Sequence, residues 1–306
     1  MLGMGFEKEL KEITSMLPSS QKRQTLLFSA TFPQSILAMS ENIQTSPVSI
    51  KDETIHKPQK IKQTFIELDA KEKKTDALIR ALCHYKIESA LIFCRTKAQC
   101  DELSDLLSDS GFWAAAIHGD LEQAERDEVL AMFSAGSLNL LVATDVAARG
   151  LDIKGLASVI NFDLTKDPET HVHRVGRTGR ADKEGMALSL FKDKERSKVR
   201  EIEAYMNLKF PSTSLSSLVS NTNFRPLPPM VSIVLGAGKK NKMRPTDILG
   251  ALTAKGALTG DKVGKINIFP YHSYVAVDRT CAKKALSTLS QKNIKGRRVK
   301  ARILDC

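Results

Sequence analysis

Short apolar runs alternate with stretches of helical periodicity along residues 63–210. Most of these runs are unbroken, which is typical of strands buried on both faces of a sheet. The runs are TFIEL (64–68), ALIFC (90–94), AAAIH (114–118), LNLLVAT (138–144), ASVINF (157–162) and MALSLF (186–191). The helical stretches are 73–85, 97–111, 121–136 and 195–206. This order predicts an α/β domain with a parallel sheet, in which ligands bind at the carboxyl ends of the strands.

A second pattern occupies residues 230–306, after a segment rich in Ser and Pro at 211–229 that reads as a linker. The pattern of apolar positions predicts strands and helices in the order βαββαβ. The segments are MVSIVLGAG, RPTDILGALTAKG, KINIFP, SYVAVD, CAKKALSTLSQ and RRVKARIL. This order is that of the RNA-recognition-motif fold.

Residues 1–50 have a different organisation. A helical stretch, EKELKEITSML, is followed by one apolar strand, QTLLFSAT (24–31), and a short helix. One strand and two helices cannot bury a sheet, so we expect this segment to be the end of a domain whose beginning is absent. The polar residues 51–62 are interpreted as a linker.

The net charge of +11 is concentrated at the C-terminal end. Residues 230–306 contain 16 Lys and Arg against 4 Asp and Glu, whereas the remaining residues contain 30 against 31. A basic excess within a folded domain indicates a polyanion as partner. The alternative is a basic segment that only improves solubility.

Other features narrow the class of protein. No apolar run approaches the length of a membrane span, and the start MLGMGFEKEL lacks the pattern of a signal peptide. The five cysteines form no C-x-x-C pair and none has a His at zinc-ligand spacing. We therefore expect a cytoplasmic protein with reduced cysteines, no metal site of this kind and no membrane contact.

Two stretches carry candidate phosphate-binding chemistry. In HVHRVGRTGRA (171–181), Arg174, Arg177 and Arg180 are three residues apart, and on a helix they would form one stripe of guanidinium groups suited to phosphate. The alternative is structural pairing of these arginines with carboxylates. In TDVAARGLD (144–152), Thr144 follows a strand directly and can contact a phosphate, while Asp152 can accept hydrogen bonds from a ribose. This stretch alone could also be a polar loop.

Five motifs resemble successive motifs of the DEAD-box RNA helicases, in the family's order and spacing. They are SAT (29–31), LIFCRT (91–96), HGDLEQAER (118–126), ATDVAARGLD (143–152) and HRVGRTGR (173–180). The resemblance covers nearly all of residues 1–210. With the segments GKKNKMRPTDILGAL (238–252) and KGRRVKARIL (295–304), residues 230–306 resemble the RNA-binding domain of DbpA-type helicases, a bacterial branch that acts on large-subunit ribosomal RNA. The implied architecture is a remnant of a first RecA-like domain at 1–50, a second RecA-like domain at 63–210 and an RNA-binding domain at 230–306.

The resemblance implies that ATP binds between two RecA-like domains and that RNA lies across both. Arg177 and Arg180 are then expected to be catalytic arginine fingers that reach the γ-phosphate, and Asp152 and Gly150 to bind ATP. The residues expected to couple the domains are Ser29, Thr31, Arg149, His173 and Arg174. The residues expected to touch RNA phosphates are Arg95, Thr96, Gly119 and Thr144.

The chain departs from the family pattern in one large respect. It contains neither G-x-x-x-x-G-K-[ST] nor the tetrapeptide DEAD; in GAGKK (236–240), Lys240 stands where Ser or Thr would bind Mg²⁺. We expect Met1 to lie just past the metal-binding motif, so that the chain corresponds to the last two-thirds of a helicase. ATP and Mg²⁺ would then be cofactors of the complete enzyme, with the Mg²⁺ ligands outside this chain.

The C-terminal domain has few of the aromatic residues that stack on RNA bases in this fold. Tyr274 alone lies on the expected central strands, where we expect it to contact RNA. We expect binding to depend more on basic side chains, each of which could singly be only solvated. They are Lys239, Lys240, Lys242 and Arg244, together with Lys295, Arg297, Arg298 and Lys300.

The resemblance implies that the chain is the C-terminal portion of an ATP-dependent helicase that remodels structured, ribosomal RNA in ribosome assembly. Its partners would be that RNA and a missing N-terminal RecA-like domain, and the chain alone would be inactive. The alternative is an RNA-binding fragment with no ATPase or helicase activity. A DNA-repair protein of the RecA class is disfavoured by the C-terminal domain.

Overall fold

The computed structural model of the chain describes residues 7–19, 22–28, 34–41, 43–50, 61–148, 156–179, 184–219, 223–254, 257–291 and 293–304. The chain divides into two compact units, residues 1–58 and residues 59–306. Among the described residues, no helix has the length and apolar character needed to cross a membrane.

The first unit contains two helices in its described part, α1 (Glu7–Ser15) and α2 (Gln34–Glu41). The predicted strand QTLLFSAT is wrong over residues 24–28, which form no strand. The physical reason is that no neighbouring strand is present among the described residues of this unit to pair with it. Leu26 and Phe28 are 66% and 87% exposed, although their apolar side chains suit a buried strand.

The second unit begins with a seven-stranded parallel sheet in the order β3-β4-β2-β5-β6-β1-β7. The strands are β1 (Ile61–Leu68), β2 (Ala90–Cys94), β3 (Ala114–Ile117), β4 (Leu140–Thr144), β5 (Ser158–Asn161), β6 (Gly185–Lys192) and β7 (Ser212–Ser214). The helices of this domain are α3 (Lys74–His84), α4 (Lys97–Asp109), α5 (Gln123–Ser134), α6 (Asp145–Ala148), α7 (Pro168–Val175) and α8 (Arg196–Met206). The predicted α/β class and all six predicted strands are confirmed.

Strand β7 was not predicted, because it lies in the segment 211–229 that reads as a linker. Its residues pair in parallel with β1, with Phe65 opposite Ser212. The residues that follow it continue to pack on the domain, since Leu215 and Leu218 are 3% exposed and belong to its apolar core. The run STS has no apolar pattern, so an edge strand of this composition gives no sequence signal.

Local sequence explains how the helices of this domain begin and end. Thr96 caps α4 by accepting a hydrogen bond from the Gln99 backbone N–H, and Asp167 caps α7 immediately before Pro168. Gly111 and Gly136 follow α4 and α5 with φ angles of +86° and +72°, which confirms the predicted helix ends. The chain therefore turns where these residues stand and returns to the sheet.

The C-terminal domain has the predicted βαββαβ order with one added hairpin. Its elements are β8 (Met230–Leu235), α9 (Pro245–Thr253), β9 (Val263–Ile268), β10 (Ser273–Asp278), α10 (Ala282–Gln291), β11 (Asn293–Ile294), β12 (Arg297–Arg298) and β13 (Ala301–Ile303). Four strands form an antiparallel sheet in the order β13-β8-β10-β9, and β11 pairs with β12. One face of the sheet packs on α9 and α10 through residues such as Ile233, Val275 and Leu289.

The other face of this sheet packs on helix α5 of the parallel-sheet domain. Tyr274 is only 3% exposed, and it shares an apolar cluster with Met132, Phe133 and Leu304. Polar contacts flank the cluster: the hydroxyls of Ser137 and Ser232 lie 2.6 Å apart, and the guanidinium of Arg279 lies 4.7 Å from the Trp113 ring. The face that carries Tyr274 is therefore covered by the neighbouring domain.

Candidate nucleic-acid interface

Four predicted RNA-binding residues meet at one edge of the parallel sheet. Arg95 and Thr96 follow β2, Gly119 follows β3 by two residues and Thr144 ends β4. Strands β3, β4 and β2 are neighbours in the sheet, so their carboxyl ends lie side by side. The sequence placed Thr144 at a strand end, while the family resemblance implied the other three, and the strand order brings all four together.

These residues present different groups at the edge. The Arg95 side chain is 55% exposed, while its backbone N–H donates to Asp163 Oδ2 over 3.3 Å. Thr96 uses its hydroxyl to cap α4, as described above, and Thr144 is buried, with its Oγ1 3.4 Å from the Ala147 backbone nitrogen. A phosphate at this edge would therefore meet an exposed guanidinium and the start of helix α4.

Lys97 is a further basic residue at this edge that sequence reasoning did not single out. A Cβ placed on Gly119 would lie 3.6 Å from Lys97 Cε, so the two positions are in close contact. The Lys97 side chain is 51% exposed and pairs with Asp120. The sequence signal that could have identified Lys97 is its position directly after the motif LIFCRT.

An ion-pair network stabilises the ends of β5 and β6 beside this edge. Lys74 Nζ lies 3.1 Å from both Asp163 Oδ1 and Glu195 Oε2, and Lys198 lies 3.2 Å from Glu195 Oε1. Burial acts to raise the pKa of Glu195, but its contacts with Lys74, Lys198 and the Lys192 backbone hold that pKa below its usual value. The Glu195 carboxylate is therefore ionised, and Asp163 Oδ2 fixes the position of the Arg95 backbone N–H.

Arg174 is buried, and its guanidinium donates four hydrogen bonds within the domain. It forms a bidentate pair with Asp145, at 2.6 and 2.8 Å, and donates to Asn161 Oδ1 at 3.1 Å and to the Asp163 carbonyl at 2.7 Å. Its guanidinium also lies 4.8 Å from the centre of the Phe93 ring. For this arginine the structure supports the alternative of pairing with a carboxylate.

The prediction of one helical stripe of arginines is wrong. Helix α7 ends at Val175 and its C-cap is Gly176, so Arg177 lies in the following turn and not on the helix. Gly179 has a φ of +69°, which helical residues do not adopt. His173 remains on α7, exposed to solvent. Gly176 therefore ends the helix between Arg174 and Arg177, which a regular helix would have aligned.

Six predicted site residues lie outside the described residues. They are Ser29, Thr31, Arg149, Gly150, Asp152 and Arg180. Their roles in ATP binding, catalysis and coupling remain predictions. The roles assigned to Arg177 and His173 also remain predictions.

His171 is a buried residue of the arginine motif that sequence reasoning did not discuss. Its Nε2 lies 3.1 Å from Gln63 Oε1, and its ring stacks on Phe65 at a centroid distance of 5.8 Å. Burial, together with the charge of Arg174, lowers the pKa of His171 to about 3. The imidazole is therefore neutral near pH 7 and packs as part of the core.

The basic residues of the C-terminal domain form a second surface, away from the covered sheet face. We call it the basic edge, and it contains Lys239, Lys240, Lys242, Arg244, Lys295, Arg297, Arg298 and Lys300, all of which are exposed. A cavity of about 470 Å³ opens within it, lined by Lys242, Lys295, Arg297, Arg298 and Lys300 together with apolar side chains that include Met243, Ile294 and Val299. Its charge and size suit part of a nucleic-acid strand.

Backbone geometry holds the basic edge in place. Lys242 has a φ of +57°, and its carbonyl accepts a hydrogen bond of 2.6 Å from Lys295 Nζ. Lys295 also pairs with Asp247 at 3.0 Å, and Asp247 Oδ2 accepts from the Arg244 backbone N–H at 2.8 Å. The contact with Lys295 lowers the pKa of Asp247 below its usual value. The two basic segments are therefore joined and do not move as independent loops.

Tyr274 was predicted as an RNA contact, but its ring has no exposed face for a base in this arrangement. The hydroxyl donates to Glu128 Oε2 over 3.3 Å. Burial and the Glu128 carboxylate both raise the pKa of Tyr274. Its role in RNA binding remains a prediction, and such a role would require the two domains to separate.

Two family models match the chain, and together they define its class. The helicase conserved C-terminal domain matches residues 73–182, and the DbpA RNA binding domain matches residues 232–303. The parallel sheet is thus a RecA-like helicase domain, and the antiparallel sheet belongs to an RNA-binding domain.

Individual relatives agree with this class. The chain is 42% identical to the ATP-dependent RNA helicase DbpA of Escherichia coli (strain K12) over 99% of its own length and 65% of that relative. It is 46% identical to the DEAD-box ATP-dependent RNA helicase CshA of Bacillus subtilis (strain 168) over 66% of its own length and 41% of that relative. The structure of S. cerevisiae Dbp5 bound to RNA and ADP BeF3 is 29% identical with a TM-score of 0.63, over 69% of this chain and 56% of that one.

The chain thus combines a helicase C-terminal domain with a DbpA-type RNA-binding domain, and the resemblance of its motifs to DEAD-box RNA helicases of the DbpA type is confirmed. It spans 65% of the length of the DbpA relative and 41% of that CshA relative. The match to the DbpA relative includes both the helicase C-terminal and the RNA-binding domains.

Proposed function

We propose that the chain is the C-terminal portion of an ATP-dependent RNA helicase that remodels structured RNA. The observation that carries this proposal is the shared edge of β3, β4 and β2, where Arg95, Thr96, Gly119 and Thr144 lie together. A row of strand ends with an exposed guanidinium, a glycine and a helix start suits the phosphates of one RNA strand. The basic edge would bind a second, structured part of the same RNA.

The described residues fit only part of an ATP site. Asp145 and Asp163, two carboxylates near the sheet edge, are engaged by Arg174 and Lys74, so they do not fit as ligands of a magnesium ion. The sequence has no Walker motif that could cradle the phosphates. What the chain offers is arginine and ribose-binding chemistry, which would complete a site on a second RecA-like domain.

Within such a site, each residue has one proposed task. ATP, when bound, supplies the free energy of phosphoryl transfer, and Mg²⁺ would be held by the second domain. Arg177 and Arg180 would donate hydrogen bonds to the γ-phosphate oxygens as their charge develops. Asp152 would accept hydrogen bonds from the ribose next to Gly150, and Ser29, Thr31, Arg149, His173 and Arg174 would couple the domains. Arg174 would act through Asp145, because that carboxylate accepts hydrogen bonds from both its Nε and its Nη2.

The RNA class and the cellular place complete the proposal. The DbpA-type RNA-binding domain supports large-subunit ribosomal RNA as the substrate, and hence a role in ribosome assembly in the cytoplasm. Binding of the basic edge to one hairpin would place a neighbouring duplex at the sheet edge. Closure of two RecA-like domains would then bend one strand and separate a short duplex.

A second candidate function is RNA binding without enzymatic activity of this chain. The observation that favours it is the absence of both nucleotide-binding motifs from the 306 residues. The two proposals agree on RNA binding and differ on what a supplied RecA-like domain would restore.

An activity measurement separates them. ATP hydrolysis would be measured with the chain alone, with a RecA-like domain that contains the Walker and DEAD motifs, and with both, each with and without a ribosomal RNA hairpin. We expect RNA-stimulated hydrolysis only with both proteins, and its loss with Arg177→Ala. Arg200→Ala, which removes an exposed arginine on α8, is the matched control.

Three results would contradict the helicase proposal. These are RNA-stimulated turnover by the chain alone, a combined activity that Arg177→Ala leaves intact, and a combination that binds RNA tightly but hydrolyses no ATP. The third result would favour the RNA-binding alternative.

A further inference from the structure

Tyr271 is an exposed aromatic residue at the tip of the hairpin between β9 and β10. Its side chain is 67% exposed, whereas Tyr274 in the same hairpin is 3% exposed and Phe269 is half-buried. The rings of Phe269, His272 and Tyr274 contact one another at centroid distances of 5.1 to 5.5 Å. Tyr271 therefore points away from the aromatic cluster that its neighbours form.

The tip of the hairpin is fastened to the basic edge by backbone hydrogen bonds. The N–H of Lys239 donates to the Phe269 carbonyl at 2.8 Å, and the N–H of Lys240 donates to the Pro270 carbonyl at 2.9 Å. A Cβ at Gly238 would lie 2.2 Å from the Phe269 carbonyl oxygen, so this close approach requires glycine. The tip and the basic edge thus form one preorganised surface.

The surroundings of Tyr271 are cationic. Lys240 Nζ lies 5.5 Å from the centre of the Tyr271 ring, and Lys239 and Lys242 follow on the same loop. Among the described residues, Lys239, Lys240 and Lys242 form no ion pair with an acidic side chain. An exposed ring next to uncompensated lysines is the combination that binds single-stranded nucleic acid, through base stacking and phosphate contacts.

We propose that Tyr271 is a stacking platform for one unpaired base of the bound RNA, with Lys239 and Lys240 on the adjacent phosphates. The inference rests on the proposed function of the basic edge and adds a specificity element to it. Lysines alone bind duplex and loop alike, whereas a stacking platform favours a base that is free to leave the helix. The ordinary platform of this fold, the sheet face with Tyr274, is covered by α5, so Tyr271 would replace it at the hairpin tip.

The experiment uses the full chain and a fluorescent RNA hairpin whose loop contains unpaired bases. Affinity is measured by fluorescence anisotropy at several salt concentrations for wild type, Tyr271→Ala, Tyr271→Phe and Lys240→Ala. Tyr205→Ala is the matched control, because Tyr205 is 53% exposed on α8 of the helicase domain. Thermal unfolding checks that each variant is folded.

We expect Tyr271→Ala to weaken binding about 5- to 150-fold, as for loss of one stacked base, and Tyr271→Phe to bind within about twofold of wild type. The slope of log affinity against log salt should not change with Tyr271→Ala, because stacking releases no counterions. Lys240→Ala should flatten that slope by about one unit. A 2-aminopurine in the loop should lose fluorescence on binding wild type but not on binding Tyr271→Ala.

Three outcomes distinguish failure of this inference from failure of the proposed function. If Tyr271→Ala binds like wild type while Lys240→Ala is weaker, the platform is wrong and the basic edge stands. If Tyr271→Ala flattens the salt slope as much as Lys240→Ala, Tyr271 only positions the lysine and the stacking proposal is overturned. If the wild type binds the RNA hairpin no more tightly than heparin of matched charge, the proposed function in RNA binding is overturned, whatever the effect of Tyr271→Ala.

Discussion

Tyr274 donates a hydrogen bond to Glu128 across the boundary between the RNA-binding domain and the helicase domain, with 3.3 Å between hydroxyl and carboxylate. Arg302 Nη2 lies 3.6 Å from the same oxygen of Glu128. One carboxylate on α5 thus contacts two strands of the neighbouring sheet. This contact fixes the sheet of the RNA-binding domain against the helicase domain and directs the basic edge to solvent.

The first prediction concerns this contact. Tyr274→Phe keeps the buried ring but removes the hydroxyl, so it should lower the free energy of unfolding by about 0.5 to 1.5 kcal/mol, as for one hydrogen bond. It should leave RNA affinity within about twofold of wild type, because the ring is covered. Chemical unfolding and RNA anisotropy measure the two effects, with Tyr205→Phe as control.

A different result would assign Tyr274 a direct role in RNA binding. A loss of RNA affinity larger than that of the triple lysine variant described next, at unchanged stability, would show that the domains separate and that the sheet face binds RNA. In that case Glu128→Gln should strengthen RNA binding, because it weakens the contact that covers the face.

The second prediction concerns the lysines of the basic edge. Replacing Lys239, Lys240 and Lys242 with Ala should lower RNA affinity and flatten the salt dependence by up to about one unit for each lost phosphate contact. The control replaces Lys71, Lys73 and Lys194, three exposed lysines of the helicase domain, and removes the same charge. Equal losses in both triple variants would mean that net charge, and not the basic edge, governs binding.

The sequence predicts the parallel sheet well because its strands are buried on both faces. Ile92, Val142 and Ile160 are all fully buried in neighbouring strands, and such apolar runs leave little choice of structure. Strand β7 could not be predicted from an apolar run, since it is a three-residue edge strand of Ser and Thr. Its pairing depends on the exposed edge of β1, which no local pattern encodes.

The positions of the site residues, too, could be predicted only where local sequence determines them. The position of Thr144 at the sheet edge could be predicted, because it lies at the end of a buried apolar run, whereas Arg95 was implied by the family resemblance. The spacing of Arg174 and Arg177 gave a wrong prediction of one helical stripe, because Gly176 ends the helix between them. The burial of Tyr274 could not be predicted from sequence, because it depends on packing between two domains that are far apart in the chain.

The third prediction tests whether Arg174 is structural. Arg174→Lys keeps the charge but loses the bidentate pair with Asp145 and the contact with Phe93, so stability should fall by about 1 to 3 kcal/mol. The range is below that of a fully buried pair, because the Asp145 side chain is 33% exposed. Urea unfolding measures the change, and Arg200→Lys on α8 should change stability by less than about 0.5 kcal/mol. Unchanged stability would contradict a structural role.

The last prediction concerns pH and His171. Burial, with the charge of Arg174, lowers the pKa of His171 to about 3 in the folded chain, whereas an unfolded histidine titrates near 6.5. Between these values the unfolded chain binds a proton that the folded chain does not. The contribution of the neutral imidazole to stability is therefore complete above about pH 6.5, and it decreases as the pH falls toward 3, by up to about 1.4 kcal/mol per pH unit.

His171→Gln removes the titrating group, so its free energy of unfolding should depend less on pH than that of wild type between pH 6.5 and 4. The variant should be less stable at pH 7.5, because it also loses the stack on Phe65. Urea unfolding at a series of pH values measures the difference between the two curves, in which the titration of carboxylates common to both proteins cancels. His173→Gln, at an exposed position on the same helix, removes a histidine that is not buried and is the matched control. Parallel curves for wild type and His171→Gln would show that His171 takes up a proton in the folded chain.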